Sequence, residues 1–133
     1  MHSGIYALII RMDKKRAIKI GALGTITFEA GYYLYIGSAQ KNMDARINRH
    51  KRQNKKLRWH IDYLLTHGTV EAHLEFPLEK RCEEKIAIEM AKKFEFVRGF
   101  GSSDTRAPSH LFKGKRDVLR DEVINLARRC LND

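Results

Sequence analysis

Two short stretches set a tyrosine and a glycine at opposite ends of a tripeptide: Gly4-Ile5-Tyr6 and Tyr35-Ile36-Gly37. Arg46 and His50 follow, four residues apart and so on one side of any helix that carries them. Glu79, Glu83, Glu84 and Glu89 lie further on, in a segment with helical apolar spacing. These residue types suit hydrolysis of a phosphodiester. That reaction needs a metal to offset phosphoryl charge, an activated water, and a cation on the non-bridging oxygens. Arg46 fits the last task, because its planar fork pairs with phosphate oxygens in two places; lysine supplies charge without that geometry. A phenol titrates near 10 in water, so Tyr6 and Tyr35 act as bases only where a metal or cation lowers that value. Otherwise they position water or fill a core. His50 has three readings: it orients substrate, acts as an acid, or is a half-buried structural histidine.

The metal ligand should be a carboxylate, because Mg²⁺ prefers oxygen and takes only one or two protein ligands plus waters. A rotation of about 100° per residue puts Cys82, Ile86, Ala87, Met90 and Phe94 on one helix face. Glu83 falls near the middle of that face, and Glu84 lies about 100° away. An acid among inward apolar residues is costly unless paired or metal-bound. Glu83 is therefore the candidate ligand for Mg²⁺ or Mn²⁺, with Glu84 the choice if the register slips. A salt bridge from Glu83 is the plain structural alternative.

The elements that must position these groups read as a mixed α+β chain. Residues 4–12 are a buried strand, and residues 16–20, 25–28 and 32–37 continue a small, mostly antiparallel sheet. From Asn42, a helix N-cap, the period turns helical, with Met43, Ile47, His50 and Asn54 on one face. A second helix is expected from Trp59 to His67, with Leu57, Ile61, Leu64 and Leu65 inward and Gly68 ending it. Residues 69–76 alternate as a strand. A third helix is expected over 78–94, a polar loop over 97–110, and a C-terminal helix from about 116 to 131. The expected architecture is a small central sheet flanked by helices, in a single domain spanning 1–133.

The chain has 133 residues, 26 Lys plus Arg and 16 Asp plus Glu, for a net charge of +10. Such a balance favours a polyanionic partner, nucleic acid before anionic membrane. Between Lys41 and Arg58 there are eight basic residues against the single acid Asp44, so this segment alone carries +7. Arg49, Lys51, Arg52, Lys55, Lys56 and Arg58 are the candidate nucleic-acid contacts, alongside Arg46 in the site. No basic amphipathic helix with large apolar residues opposite is present, so a membrane partner is not expected. No signal peptide is read at Met1-His2-Ser3-Gly4, and Cys82 and Cys130 are expected to remain unpaired, both pointing to the cytoplasm.

The ordered set of Gly4-Ile5-Tyr6, Tyr35-Ile36-Gly37, Arg46, His50 and a glutamate helix resembles the GIY-YIG nuclease superfamily. Gly37-Ser38-Ala39, Trp59-His60-Ile61-Asp62-Tyr63-Leu64-Leu65 and Phe100-Gly101-Ser102-Ser103-Asp104 extend the resemblance. So does Ser109-His110-Leu111-Phe112. Within the superfamily the chain looks like a subfamily of small archaeal and bacterial proteins, sometimes fused to an endonuclease-III-type glycosylase. The resemblance covers residues 4 to about 112. It implies a divalent-metal phosphodiesterase acting on DNA more than on RNA, with a setting in repair, and catalytic roles for Tyr6, Tyr35 and Arg46. Two departures stand out. The spacer between the tripeptides, residues 7–34, is long, and the subfamily's Cys-x-Cys is here Thr105-Arg106-Ala107. The competing expectation is a non-catalytic nucleic-acid-binding accessory module.

Overall fold

The computed structural model describes residues 3–132. Met1 and His2, part of the start read above as lacking a leader, lie outside the described residues, as does Asp133. Strand β1 (Gly4–Met12) is buried at every position but Arg11. It runs antiparallel to β4 (Gly31–Ala39) on one side and to β5 (Thr69–Phe76) on the other. Strand β7 (Leu111–Gly114) pairs with β4, and β6 (Glu95–Phe96) pairs with β7. The result is a five-stranded antiparallel sheet of order β5-β1-β4-β7-β6. The α+β architecture expected from the sequence is the one observed.

Apolar layers cover both faces of this sheet, which is why β1 reads as one apolar run instead of alternating. Tyr6, Leu8, Ile10, Met12, Tyr33 and Tyr35 face a layer built by α1 (Met43–Lys51), α2 (His60–Leu64) and Phe100. Ile5, Ala7, Ile9, Leu34, Ile36 and Phe112 face α3 (Arg81–Ala91) and α4 (Arg116–Leu131). Helix α1 starts as expected, with the Asn42 side chain accepting from the Ala45 N–H at 3.0 Å.

Three expectations need correction. First, the segments 16–20 and 25–28 do not join the central sheet. Strands β2 (Arg16–Lys19) and β3 (Thr25–Phe28) pair only with each other. Their apolar residues Ile18 and Phe28, with Ile20 just beyond β2, fold onto the α1–α2 layer instead. Second, α2 is shorter than residues 59–67, and Leu57 is exposed. The Asp62 carboxylate accepts from the backbone N–H groups of Arg58 and Trp59, which fixes the helix start at His60. Beyond the helix Gly68 acts by size, not by a left-handed cap: a Cβ there would sit 2.9 Å from Ile10 Cγ2 on β1. Third, β6 and β7 were not anticipated, since strands of two and four residues are too short to show a period.

A fourth correction concerns the cysteines. Cys82 on α3 and Cys130 on α4 form a disulfide across a sequence separation of 48. The two helices pack together on one sheet face, and that tertiary approach is invisible in the spacing. The bond removes the inference of compartment drawn from free thiols. Closing so long a loop stabilises the fold by up to about 4 kcal/mol through lost chain entropy in the unfolded state. Reduction should therefore lower the urea midpoint, with a Cys82→Ala/Cys130→Ala double variant insensitive to reductant. An unchanged midpoint in dithiothreitol would refute this. No described helix is long and apolar enough to cross a membrane.

Candidate active site

The antiparallel register sets Tyr6 opposite Gly37 and Leu8 opposite Tyr35. The two tyrosines are thus diagonal neighbours on one face, with ring centroids 6.4 Å apart. Gly37 is required by close approach, because a Cβ there would overlap Cζ and Oη of Tyr6. The phenol ring lies across the space that a side chain at 37 would fill.

A cleft of about 470 Å³ opens beside this pair. Tyr6, Tyr35, Ser38, Arg46, Trp59 and Glu83 line it, with Lys80, Arg58 and Asp104 also on its walls. Ser38, near the end of β4, holds both charged groups. Its carbonyl accepts from Arg46 Nη1 at 2.9 Å, and its hydroxyl donates to Glu83 Oε1 at 3.0 Å. On the far side His110 Nδ1 lies 3.3 Å from Glu83 Oε2 and 3.2 Å from the Ile36 carbonyl. The Ile36 carbonyl requires a proton on Nδ1, so the His110 N–H is engaged by the backbone and the ring edge lies beside the carboxylate.

The sequence placed Glu83 near the middle of an apolar face. In the structure it stands at the N-terminal end of that stripe, in the first turn of α3, where the face leaves the core and meets the cleft. Its side chain is 14% exposed. Glu84 points elsewhere and accepts from the Arg106 backbone N–H at 3.0 Å.

Behind Tyr6 sits His50, with Nε2 at 2.7 Å from the phenol oxygen. Burial pushes the imidazole down to about 3; Asp62 pulls the other way, and Lys55, Arg46 and Arg49 deepen the depression. His50 is therefore neutral at physiological pH, which removes the cationic-acid reading and leaves a hydrogen-bond partner for Tyr6. Its Nδ1 is buried with no partner among the described residues. Burial also raises Tyr6 to about 12, against the pull of the neighbouring Arg46 guanidinium. Tyr35 is raised well above the ordinary phenol value, again by burial first. Neither tyrosine is a phenolate in the protein alone.

The basic run divides into two groups. Arg49 donates to both oxygens of the fully buried Asp62, at 2.9 Å each, and Lys55 donates to the carbonyls of Arg49, His50 and Arg52 at the end of α1. Both are committed to internal partners. Burial opposes ionisation of Asp62, but Arg49 and the backbone N–H groups of Trp59 and Arg58 outweigh it and hold the carboxyl below its usual range. Lys41, Lys51, Arg52, Lys56 and Arg58 are exposed, and no acid pairs with them among the described residues.

No three His, Cys, Asp or Glu side chains cluster around a metal position among the described residues. The donor set is one carboxylate, Glu83, on the wall of a polar cleft. That fits a hard divalent cation such as Mg²⁺ or Mn²⁺, which keeps most of its waters. It does not fit a closed zinc site.

The family model described as Domain of unknown function DUF123 matches residues 5–132, which contain the whole of this cleft. The chain belongs to that family. No curated protein and no solved structure matches it. Within this DUF123 chain the cleft gathers Tyr6, Tyr35, Arg46 and Glu83, with His50 one layer behind. Sequence reasoning missed the roles of Ser38, near the end of the largely apolar strand β4, and of His110, at the end of a polar loop. It also missed the part of Asp62 in fixing Arg49. For His110 and Asp62 the signal was a buried polar position, which shows only once strands are paired; Ser38 is half-buried.

Proposed function

We propose that this protein is a divalent-metal-dependent endonuclease of GIY-YIG type that hydrolyses phosphodiester bonds in DNA. One observation carries the reading: a guanidinium and a carboxylate are both tethered to Ser38, in a cleft walled by both tyrosines. A bound Mg²⁺ or Mn²⁺ would be held by Glu83 and would offset charge on the phosphoryl oxygens. Arg46, with one nitrogen on the Ser38 carbonyl, turns its remaining donors to non-bridging oxygens. Tyr6 orients a water by its hydroxyl, and the neutral His50 at 2.7 Å fixes how that hydroxyl is turned. His110 and Ser38 keep the carboxylate in place.

The exposed cations Lys41, Lys51, Arg52, Lys56 and Arg58 supply the backbone-binding surface. Five phosphate contacts predict a log–log salt slope of about −4.5 on duplex DNA. A slope near zero would mean that the basic run is only a solvated face. The decisive experiment incubates the protein with single-stranded, duplex and branched DNA and with RNA, in Mg²⁺, Mn²⁺ or chelator. Cleavage of DNA that stops in chelator supports the reading. Binding with no cleavage of any substrate replaces it with a non-catalytic accessory module. A cytoplasmic place belongs to the same reading, and it requires the Cys82–Cys130 bond to withstand the thiol pool.

A further inference from the structure

We propose that Trp59 is a positioning residue that holds the Arg46 guanidinium over the cleft; this deepens, and rests on, the phosphodiesterase reading. Arg46 donates from Nη1 to the Ser38 carbonyl at 2.9 Å and also stands against the Tyr6 hydroxyl. Both contacts act at the end of a four-torsion side chain, where packing on a flat face restrains the guanidinium plane further. The Trp59 indole supplies that face, with Arg46 Cζ 4.5 Å from its centroid. An indole is the strongest aromatic partner for such a cation, and the contact leaves the other nitrogens free for phosphate.

Trp59 is itself gripped from below. Its backbone N–H donates to Asp62 Oδ2 at 2.9 Å, and Arg49, locked by Asp62, stands 4.4 Å from the same indole centroid. Arg58 lies at 5.7 Å. The chain of support therefore runs from the buried Asp62 to Arg49 and Trp59, and from Trp59 to Arg46. The indole's electron-rich face also offsets the repulsion between guanidiniums brought this close. A tryptophan serving the core alone would be sunk in it. Trp59 is partly exposed and forms a wall of the cleft.

Trp59 is the sole tryptophan of the chain, so its emission reports on this contact without a label. The experiment compares wild type with Trp59→Phe, Trp59→Leu, Arg46→Ala and Arg52→Ala, using cleavage of a duplex oligonucleotide in Mn²⁺ and tryptophan emission with iodide quenching. Trp59→Leu should lose about tenfold in kcat with KM nearly unchanged, while Trp59→Phe, which keeps an aromatic face, recovers most of the loss. Arg46→Ala should shift the emission and weaken iodide quenching. Arg52→Ala, exposed and away from the indole, should do neither. The proposal is overturned if Trp59→Leu cleaves like wild type, if Phe and Leu lose equally, or if the loss falls on KM, which would make Trp59 a base-stacking contact. It is also overturned if Arg46→Ala leaves the emission unaltered. A shifted emission in a protein that cleaves nothing upholds the contact and sinks the nuclease reading instead.

Discussion

Turnover is expected to fall at least about a hundredfold in Arg46→Ala, the loss typical of removing a principal donor to a developing oxyanion. The expectation follows from geometry. Arg46 is the cleft cation whose guanidinium is anchored to a backbone carbonyl, 2.9 Å away on Ser38, and packed on the Trp59 ring. Affinity should change far less, by about 1–3 kcal/mol at most, because the exposed cations of residues 41–58 still hold the backbone. Glu83→Gln should match the loss in turnover while preserving the fold, since the swap conserves volume and keeps a carbonyl oxygen for the Ser38 hydroxyl. Single-turnover cleavage beside binding anisotropy separates the two quantities. Wild-type cleavage by Arg46→Ala would place phosphate recognition elsewhere. Wild-type metal dependence in Glu83→Gln would remove Glu83 as the metal-holding group.

Stability is expected to decline on acidification from about pH 6.5 downward, well above the range in which carboxylates titrate. The sign follows from His50, whose imidazole burial lowers from 6.5 to about 3. The unfolded chain takes up this proton below its ordinary value, while the folded protein refuses it until far lower pH. Stabilisation is therefore full above about 6.5 and is lost as pH falls toward 3. Across that span the ceiling is about 5 kcal/mol. Asp62 adds a second, lower window: its carboxyl is held down in the fold, so its contribution is lost only as pH falls below its ordinary range. Urea midpoints measured from pH 7.5 to 4.5 test the first window. His50→Gln should reduce the slope above pH 5, leaving the share of His60, whose imidazole burial also holds below its ordinary value. A wild-type profile flat from 7.5 to 5 would show that His50 takes up its proton in the folded state.

The parts of the fold that were legible in the sequence are those whose side chains obey a period. Strand β1 announced itself as an apolar run because both of its faces are covered, and α1 by its Asn42 cap and the Met43–Ile47–His50 face. The ribbon β2–β3 looked like more of the same sheet, since alternation reports a half-buried strand without saying which layer buries it. Helix α2 is shorter than its pattern suggests because Leu65 continues the apolar face past the last helical residue, Leu64, while the chain is already turning toward the close approach of Gly68 to Ile10. At the site, the types of Tyr6, Tyr35 and Arg46 told more than their neighbourhoods did. Whether Glu83 faced core or cleft depended on where α3 leaves the sheet, and whether Arg49 was free depended on Asp62, thirteen residues away.

Counted in covalent bonds alone, the protein is a lasso. The bond between Cys82 and Cys130 closes a ring that holds Glu83, Asp104, His110, β6 and β7, while β1, β4, α1 and α2 hang from it as one long open tail. The cleft straddles the two: its guanidinium and both tyrosines belong to the tail, its carboxylate to the ring. A cut in the basic loop of residues 52–58 would separate Arg46 from Glu83 into two molecules joined only by packing. A cut in the loop of residues 101–108 would leave every piece of the ring attached. The two loops around one site thus carry unequal consequences for its integrity, and only the one that gathers positive charge is left without a covalent safeguard.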